Sequence, residues 1–191
     1  SPYSEDDQPN PINFYGKSKL LGEREIINTF DNFLIIRTSW VFGKYGNNFP
    51  KIMLDKSDSK DLKIVADQYG MPTSSSSITN AIVKICEKIE NGREINFGIY
   101  HYSNYPRVSW YGFAKEVFSQ AIERKKIFRA PKLTRVTSDD FVTFAARPKN
   151  SELSTLRKYI KRYKHFFIES GIILPSTNYN IELSYHYGIS K

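Results

Sequence analysis

Residues 13 to 23 read NFYGKSKLLGE, and Tyr15 and Lys19 within them stand four positions apart. On a helix that spacing puts the phenol and the ammonium on one face, within reach of each other. Asn13 is a helix-capping residue type, so a helix is predicted to start just after it and to run to about Thr29. A phenol, with an ordinary pKa of about 10, is poorly matched to proton transfer at neutral pH. An ammonium beside it favours the phenolate, and the positive end of a helix dipole acts in the same direction. Such a phenol can protonate an alkoxide as a hydride arrives on a carbonyl carbon. Gly16 and Gly22 each cost up to roughly 1 kcal/mol in a helix interior relative to alanine. Their presence predicts something packed close to this helix.

Outward from that helix, residues 1 to 13 carry Pro2, Pro9 and Pro11 and read as a loop. FLIIRTSW (33 to 40) is a short β-branched run of the kind found in buried parallel strands. A glycine-bearing loop follows, then a helix over 49 to 57 and a strand over 62 to 66. ITNAIVKICEKIE (78 to 90) sets Ile78, Ile82, Ile85 and Ile89 on one helical stripe. GIYHYS (98 to 103) is predicted as a strand, and Ser109 caps a helix that turns Trp110, Phe113, Val117 and Phe118 inward. KLTRVT (132 to 137) is a weaker strand, followed by a loop through FAARPKNSELS and a basic helix. Strands alternating with helices predict an α/β fold with one mainly parallel sheet.

The 191 residues fit one ordinary domain or the larger part of a two-lobed one. A single cysteine, Cys86, excludes an internal disulfide framework and fits a reducing, cytoplasmic setting. No apolar run reaches membrane-spanning length. The net charge of +8 is concentrated in RKYIKRYKHFF (157 to 167), where basic residues alternate with apolar ones as on the solvated face of an amphipathic helix. No zinc-finger spacing or RNA-recognition signature accompanies it, so nucleic acid is not expected as a partner. A positive field also suits a small anionic substrate such as a nucleotide diphosphate. His101, His165 and His186 are scattered among aromatics without metal-ligand spacing and read as structural.

Five stretches occur in order: NFYGKSKLLGE, IIRTSWVFG (35 to 43), GNNFPKIML (46 to 54), DQYGMPTS (67 to 74) and ARPKNSELS (146 to 154). In that order and spacing they resemble the dTDP-4-dehydrorhamnose reductase family of extended short-chain dehydrogenase/reductases, over roughly residues 2 to 156. The resemblance implies an NADH- or NADPH-dependent reduction of the 4-keto group of dTDP-6-deoxy-L-lyxo-4-hexulose, giving dTDP-L-rhamnose. It implies Tyr15 as proton donor, Lys19 as its activator and ribose ligand, and Trp40 at the nicotinamide and sugar site. Asn47, Asn48, Gln68 and Arg147 fall in motifs that shape the substrate pocket. Arg147 is the candidate diphosphate clamp, because guanidinium binds phosphate oxygens in bidentate fashion. Mg2+ and a homodimer are further family expectations, with no ligand assigned to the metal.

The chain contains no G-x-G-x-x-G turn to bring a pyrophosphate onto a helix N-terminus. In the family that turn, and the Ser or Thr that polarises the carbonyl, come before the catalytic tyrosine. The chain is therefore expected to be the C-terminal portion of a reductase, inactive alone. Residues 1–60 would end the Rossmann-like cofactor domain. Residues 61–170 would form the substrate lobe, with a helix at 78–90 returning to the cofactor sheet, and 171–191 a tail of unassigned role. Two alternatives share the fold. A nucleotide-sugar epimerase or dehydratase keeps Tyr-x-x-x-Lys, but RTSW and ARPKNS weigh against it. A non-catalytic regulatory subunit would have no need of Tyr15 and Lys19.

Overall fold

The computed structural model describes residues 1–141 and 145–155. The predicted basic helix and the C-terminal tail lie outside the described residues. The first helix is α1 (Phe14–Thr29), and the Asn13 side chain accepts from the Gly16 N–H at its start. Strand β1 (Leu34–Arg37) and the two-residue β2 (Val41–Phe42) come next, then α2 (Phe49–Asp55) and β3 (Asp61–Val65). Short strands β4 (Tyr69–Gly70) and β5 (Thr73–Ser74) lead into α3 (Ser75–Glu90). The last elements are β6 (Gly98–His101), β7 (Val108–Ser109), α4 (Trp110–Glu123) and β8 (Lys132–Val136).

The strands do not form the single sheet that the pattern predicts. They pair as four two-stranded ladders: β1 with β6, β2 with β5 and β3 with β8 in parallel, and β4 with β7 antiparallel. Among the described residues, four of the eight strands are two residues long. The parallel preference and the alternation of strands with helices hold, and the chain is an α/β protein.

The core lies where α2 and α4 cover β3 and β8. Met53, Ile64, Phe113, Ala114, Val117 and Phe118 are buried together there. Burial of each large apolar side chain contributes about 1.5–3 kcal/mol. The rest of the molecule is thinner. Helix α1 buries no residue, and Phe14 is 85% exposed. Its tie to β1 is polar: the Arg37 guanidinium donates to both oxygens of Glu23, the shortest contact being 2.6 Å. On α3, Ala81 alone is buried, while Ile82 and Ile89 stay exposed. The predicted isoleucine stripe is thus only partly covered among the described residues, because the main core forms on the other ladders. Gly16 does meet a neighbour, since a Cβ there would stand 3.0 Å from Pro11 Cβ, but a Cβ at Gly22 would meet nothing.

His101 ends β6 in a buried position. Its N–H donates to Glu5 Oε1 at 3.0 Å, and its ring Nδ1 lies 3.2 Å from the Tyr3 carbonyl oxygen. Burial, aided by Arg37, lowers its pKa below the ordinary 6.5, while Glu5 and the carbonyls of Tyr3 and Ser154 oppose the shift. The unfolded chain then takes up a proton at a higher pH than the folded one. The stability from neutral His101 is full above pH 6.5 and is lost as pH falls through the lowered folded pKa. The thermal midpoint is expected to drop between pH 7 and pH 5, and His101→Asn to flatten that drop. Equal slopes in the two proteins would exclude His101 as a source of the pH dependence.

Candidate active site

Tyr15 and Lys19 occupy one face of α1, as their spacing requires. Lys19 Nζ stands 5.2 Å from the centroid of the Tyr15 ring, and the tyrosine is 70% exposed. An ammonium over a phenol ring gains electrostatically from the ring quadrupole. The pair is open on the surface of the described residues, with no core contact to account for the tyrosine.

The opening turn of α1 is fastened to a distant motif. Asn13 Oδ1 accepts from the Gly16 N–H at 2.7 Å, while its Nδ2 donates to the Ala146 carbonyl at 2.9 Å. One amide therefore caps the tyrosine helix and holds the residue next to Arg147. Arg147 itself is exposed. From there the segment 149 to 154 runs as an extended strap. The Tyr69 N–H donates to the Lys149 carbonyl at 2.9 Å, and the Ser151 N–H donates to the Tyr69 carbonyl at 2.8 Å. Ser39 Oγ donates to the Ser151 carbonyl at 2.8 Å and accepts from the Met71 N–H. Tyr3 closes the far side, paired with Glu152 and Ser154. The strap thus joins the starts of α1 and β4 to the end of the RTSW segment.

Trp40 follows directly. Its backbone lies at φ 45°, the left-handed region, which costs a residue with a Cβ about 1–3 kcal/mol. Its carbonyl accepts from the Thr73 N–H at 3.1 Å, and its indole stacks on Trp110 with centroids 3.5 Å apart and planes 7° off parallel. Gly70 makes this possible, because a Cβ there would fall inside the Trp40 ring. Gln68 is buried, and both ends of its amide are used within the protein. Its Oε1 accepts from the Trp110 indole N–H at 3.2 Å and its Nε2 donates to Ser138 Oγ at 3.0 Å. Asn48 caps α2 and donates to the Gly43 carbonyl at 2.7 Å, so its amide serves the loop. Asn47 beside it is exposed. By sequence pattern Trp110 is an inward-facing residue of α4, and nothing local to it signals its pairing with Trp40.

A cleft of about 270 Å³ lies elsewhere, between the 5–9 loop, α1 and β1, lined in part by Glu5, Asp6, Asp7, Glu23 and Arg37. None of the expected site residues lines it. Among the described residues no group of three or more His, Cys, Asp or Glu side chains is placed to hold a metal ion, so no residue here is assigned to Mg2+. No helix of the described residues is long and apolar enough to cross a membrane.

Taken together, the α/β ladders and the Tyr–Lys helix define an extended short-chain dehydrogenase/reductase fold. Its family is narrower. Residues 1–166 match the model of the RmlD substrate binding domain, and the chain belongs to that family. It is 44% identical over 150 residues to a dTDP-4-dehydrorhamnose reductase of Aggregatibacter actinomycetemcomitans, covering 78% of this chain and 51% of that protein. A reductase of the same name from Sinorhizobium fredii is 40% identical over 154 residues, covering 80% and 51%. The crystal structure of the Bacillus anthracis dTDP-4-dehydrorhamnose reductase in complex with NADP superposes with a TM-score of 0.71 at 34% identity. That likeness covers 88% of this chain and 59% of the other. The chain spans about half the length of the relatives it matches.

The double duty of Asn13 can be separated. Asn13→Ala removes cap and tie together and is expected to destabilise the chain by about 0.5–2 kcal/mol. Asn13→Asp keeps the acceptor for Gly16 but loses the donor to Ala146. Helix content should then stay at the parent level while amide exchange at Tyr69 and Ser151 accelerates. Unchanged exchange in the Asp variant would mean that the Ala146 bond does not hold the strap.

Proposed function

We propose that this chain forms the proton-donor and sugar-binding side of a dTDP-4-dehydrorhamnose reductase. The reaction is reduction of the 4-keto group of dTDP-6-deoxy-L-lyxo-4-hexulose to dTDP-L-rhamnose, with NADPH or NADH as reductant. The observation that carries this reading is the bond from Asn13 to Ala146, which sets the Tyr15 helix and the Arg147 motif side by side. Reductase relatives of 44% and 40% identity support it, as does a structural neighbour in complex with NADP.

When bound, the nicotinamide supplies the hydride. As C4 of the sugar gains the electron pair, its oxygen becomes basic, and the Tyr15 hydroxyl gives that oxygen a proton. The phenolate left behind faces the Lys19 ammonium and is reprotonated from solvent. One hydride and one proton then account for the alcohol. Lys19 also offers donors to the ribose hydroxyls. Trp40 lies along the sugar and nicotinamide, Asn47 and Asn48 shape the pocket, Gln68 acts on it only from behind, and Arg147 clamps the diphosphate through its paired N–H groups.

In this reading residues 1–60 end the cofactor-binding unit and 61–170 form the substrate lobe, with α3 returning to the cofactor sheet and 171–191 as a tail. The exposed apolar residues of α1 and α3 are surfaces for the half of the enzyme that the longer relatives contain. The whole enzyme is a cytoplasmic homodimer acting on a dTDP-sugar, without nucleic acid or membrane partners. The Tyr15 and Lys19 pair favours catalysis over a purely regulatory role.

A chimera carrying the N-terminal half of the 44%-identical relative ahead of this chain tests the proposal. It should oxidise NADPH in the presence of the keto-sugar, whereas residues 1–191 alone should not. Tyr15→Phe should lower kcat by about 10²–10⁴, the range for a lost general acid. Cofactor affinity should stay within about twofold, since the donors of Lys19 to the ribose remain. Full turnover in the Phe variant would remove Tyr15 from the mechanism.

A further inference from the structure

We infer that Trp110 and Gln68 are positioning residues that hold the Trp40 indole in place for the sugar site. The inference rests on the reading of Trp40 given above. Trp40 keeps a left-handed backbone although it carries a large side chain. Such a conformation persists only where the surroundings over-determine it, and it gathers at ligand clamps. A tryptophan needed for packing alone has no use for it.

The surroundings supply that constraint. The Trp40 carbonyl is held by the Thr73 N–H, and Gly70 leaves room for the ring. Trp110 stacks flat against the indole at 3.5 Å. Trp110 is itself anchored twice. Phe49 packs against it, with centroids 4.7 Å apart, and Phe49 stacks in turn on the buried Phe113.

The second anchor is a directed hydrogen-bond chain. The Trp110 indole N–H donates to Gln68 Oε1, and Gln68 Nε2 donates to Ser138 Oγ. The Ser138 hydroxyl and backbone N–H both donate to Asp67 Oδ1 at 2.8 Å. An indole only donates and a carboxylate only accepts, so the direction of each bond is set by its ends. The amide of Gln68 has one permitted orientation, and through it the rotation of Trp110 is fixed. Linked bonds of this kind polarise and reinforce each other. Trp40 is only partly buried, so the residue is not sealed from solvent.

Trp40 and Trp110 are the two tryptophans of the chain. Two indoles stacked at this distance couple their transitions, and wherever their long axes are turned relative to each other in the plane they give a paired positive and negative band in far-ultraviolet circular dichroism. The 191-residue chain is expected to carry that couplet, and Trp110→Phe and Trp40→Phe each to abolish it. Gln68→Leu should at least halve it, while Gln68→Glu, which keeps the acceptor for the indole N–H, should retain most of it. Helical ellipticity, recorded in the same spectra, reports whether each variant is folded.

In the chimera, Gln68→Leu should raise KM for the keto-sugar about three- to tenfold, the worth of one aromatic stack, with kcat within about twofold. Gln68→Glu should restore KM. A packing role alone would lower the thermal midpoint and leave KM and the couplet unmoved. If Trp40→Ala raises KM but folded Gln68→Leu leaves both KM and the couplet intact, the inference is overturned and the sugar role of Trp40 stands. If Trp40→Ala itself leaves KM unchanged, the sugar role falls and the inference with it. In a parent chain whose indoles give no couplet, the KM values of the Gln68 and Trp40 variants decide between these outcomes.

Discussion

The side-chain amide of Asn13 is the constraint on which the rest of the site depends. Its oxygen supplies the missing acceptor for the first turn of α1, and its nitrogen reaches a carbonyl 133 positions further on. Helix α1 has no buried residue, so apolar packing does not fix where Tyr15 stands. Direction comes instead from Asn13 at one end and the Glu23–Arg37 pair in the helix body. Polar ties suit this task. They are directional, whereas a sliding apolar contact would let the tyrosine drift along its own axis.

Strength and precision are divided between regions. The apolar core around Phe113, Val117 and Phe118 joins α2 and α4 to the β3–β8 ladder and provides most of the burial. The site features stand on its margin. Trp110 is the link between the two, because one side of it meets Phe49 beside the core and the other meets Trp40. The left-handed backbone at Trp40 is held by that link, by the Thr73 N–H and by the space above Gly70. The strap from 149 to 154 then fixes Ser39, and so the approach to Trp40, against β4.

Features set by a few neighbouring residues were legible in the sequence. The Asn13 and Ser109 caps and the helix after Ser109 form where the pattern predicts them, and the run predicted as a strand over 33 to 40 forms one over Leu34–Arg37. Local hydrogen bonds and short-range periodicity determine these. Long-range pairing was not legible. Nothing near Gln68 indicates that its amide turns inward to Trp110 and Ser138, since glutamine serves equally as a ligand or as a bridge. The division of the strands into four ladders was hidden for the same reason: strand runs carry no record of their partners. The hydrogen bonds from 146–154 to Asn13, Ser39 and Tyr69, which tie four of the five motifs together, were likewise not legible.

This chain is proposed to provide the proton side of a hydride transfer to C4 of a dTDP-linked keto-sugar. Isotope tracing in the chimera tests it most directly. With nicotinamide deuterated at the transferable position, the product should carry one deuterium at C4 for each cofactor oxidised. Sugar inverted or dehydrated without net oxidation of the cofactor would contradict the account and place the chain with the epimerases or dehydratases of the same fold.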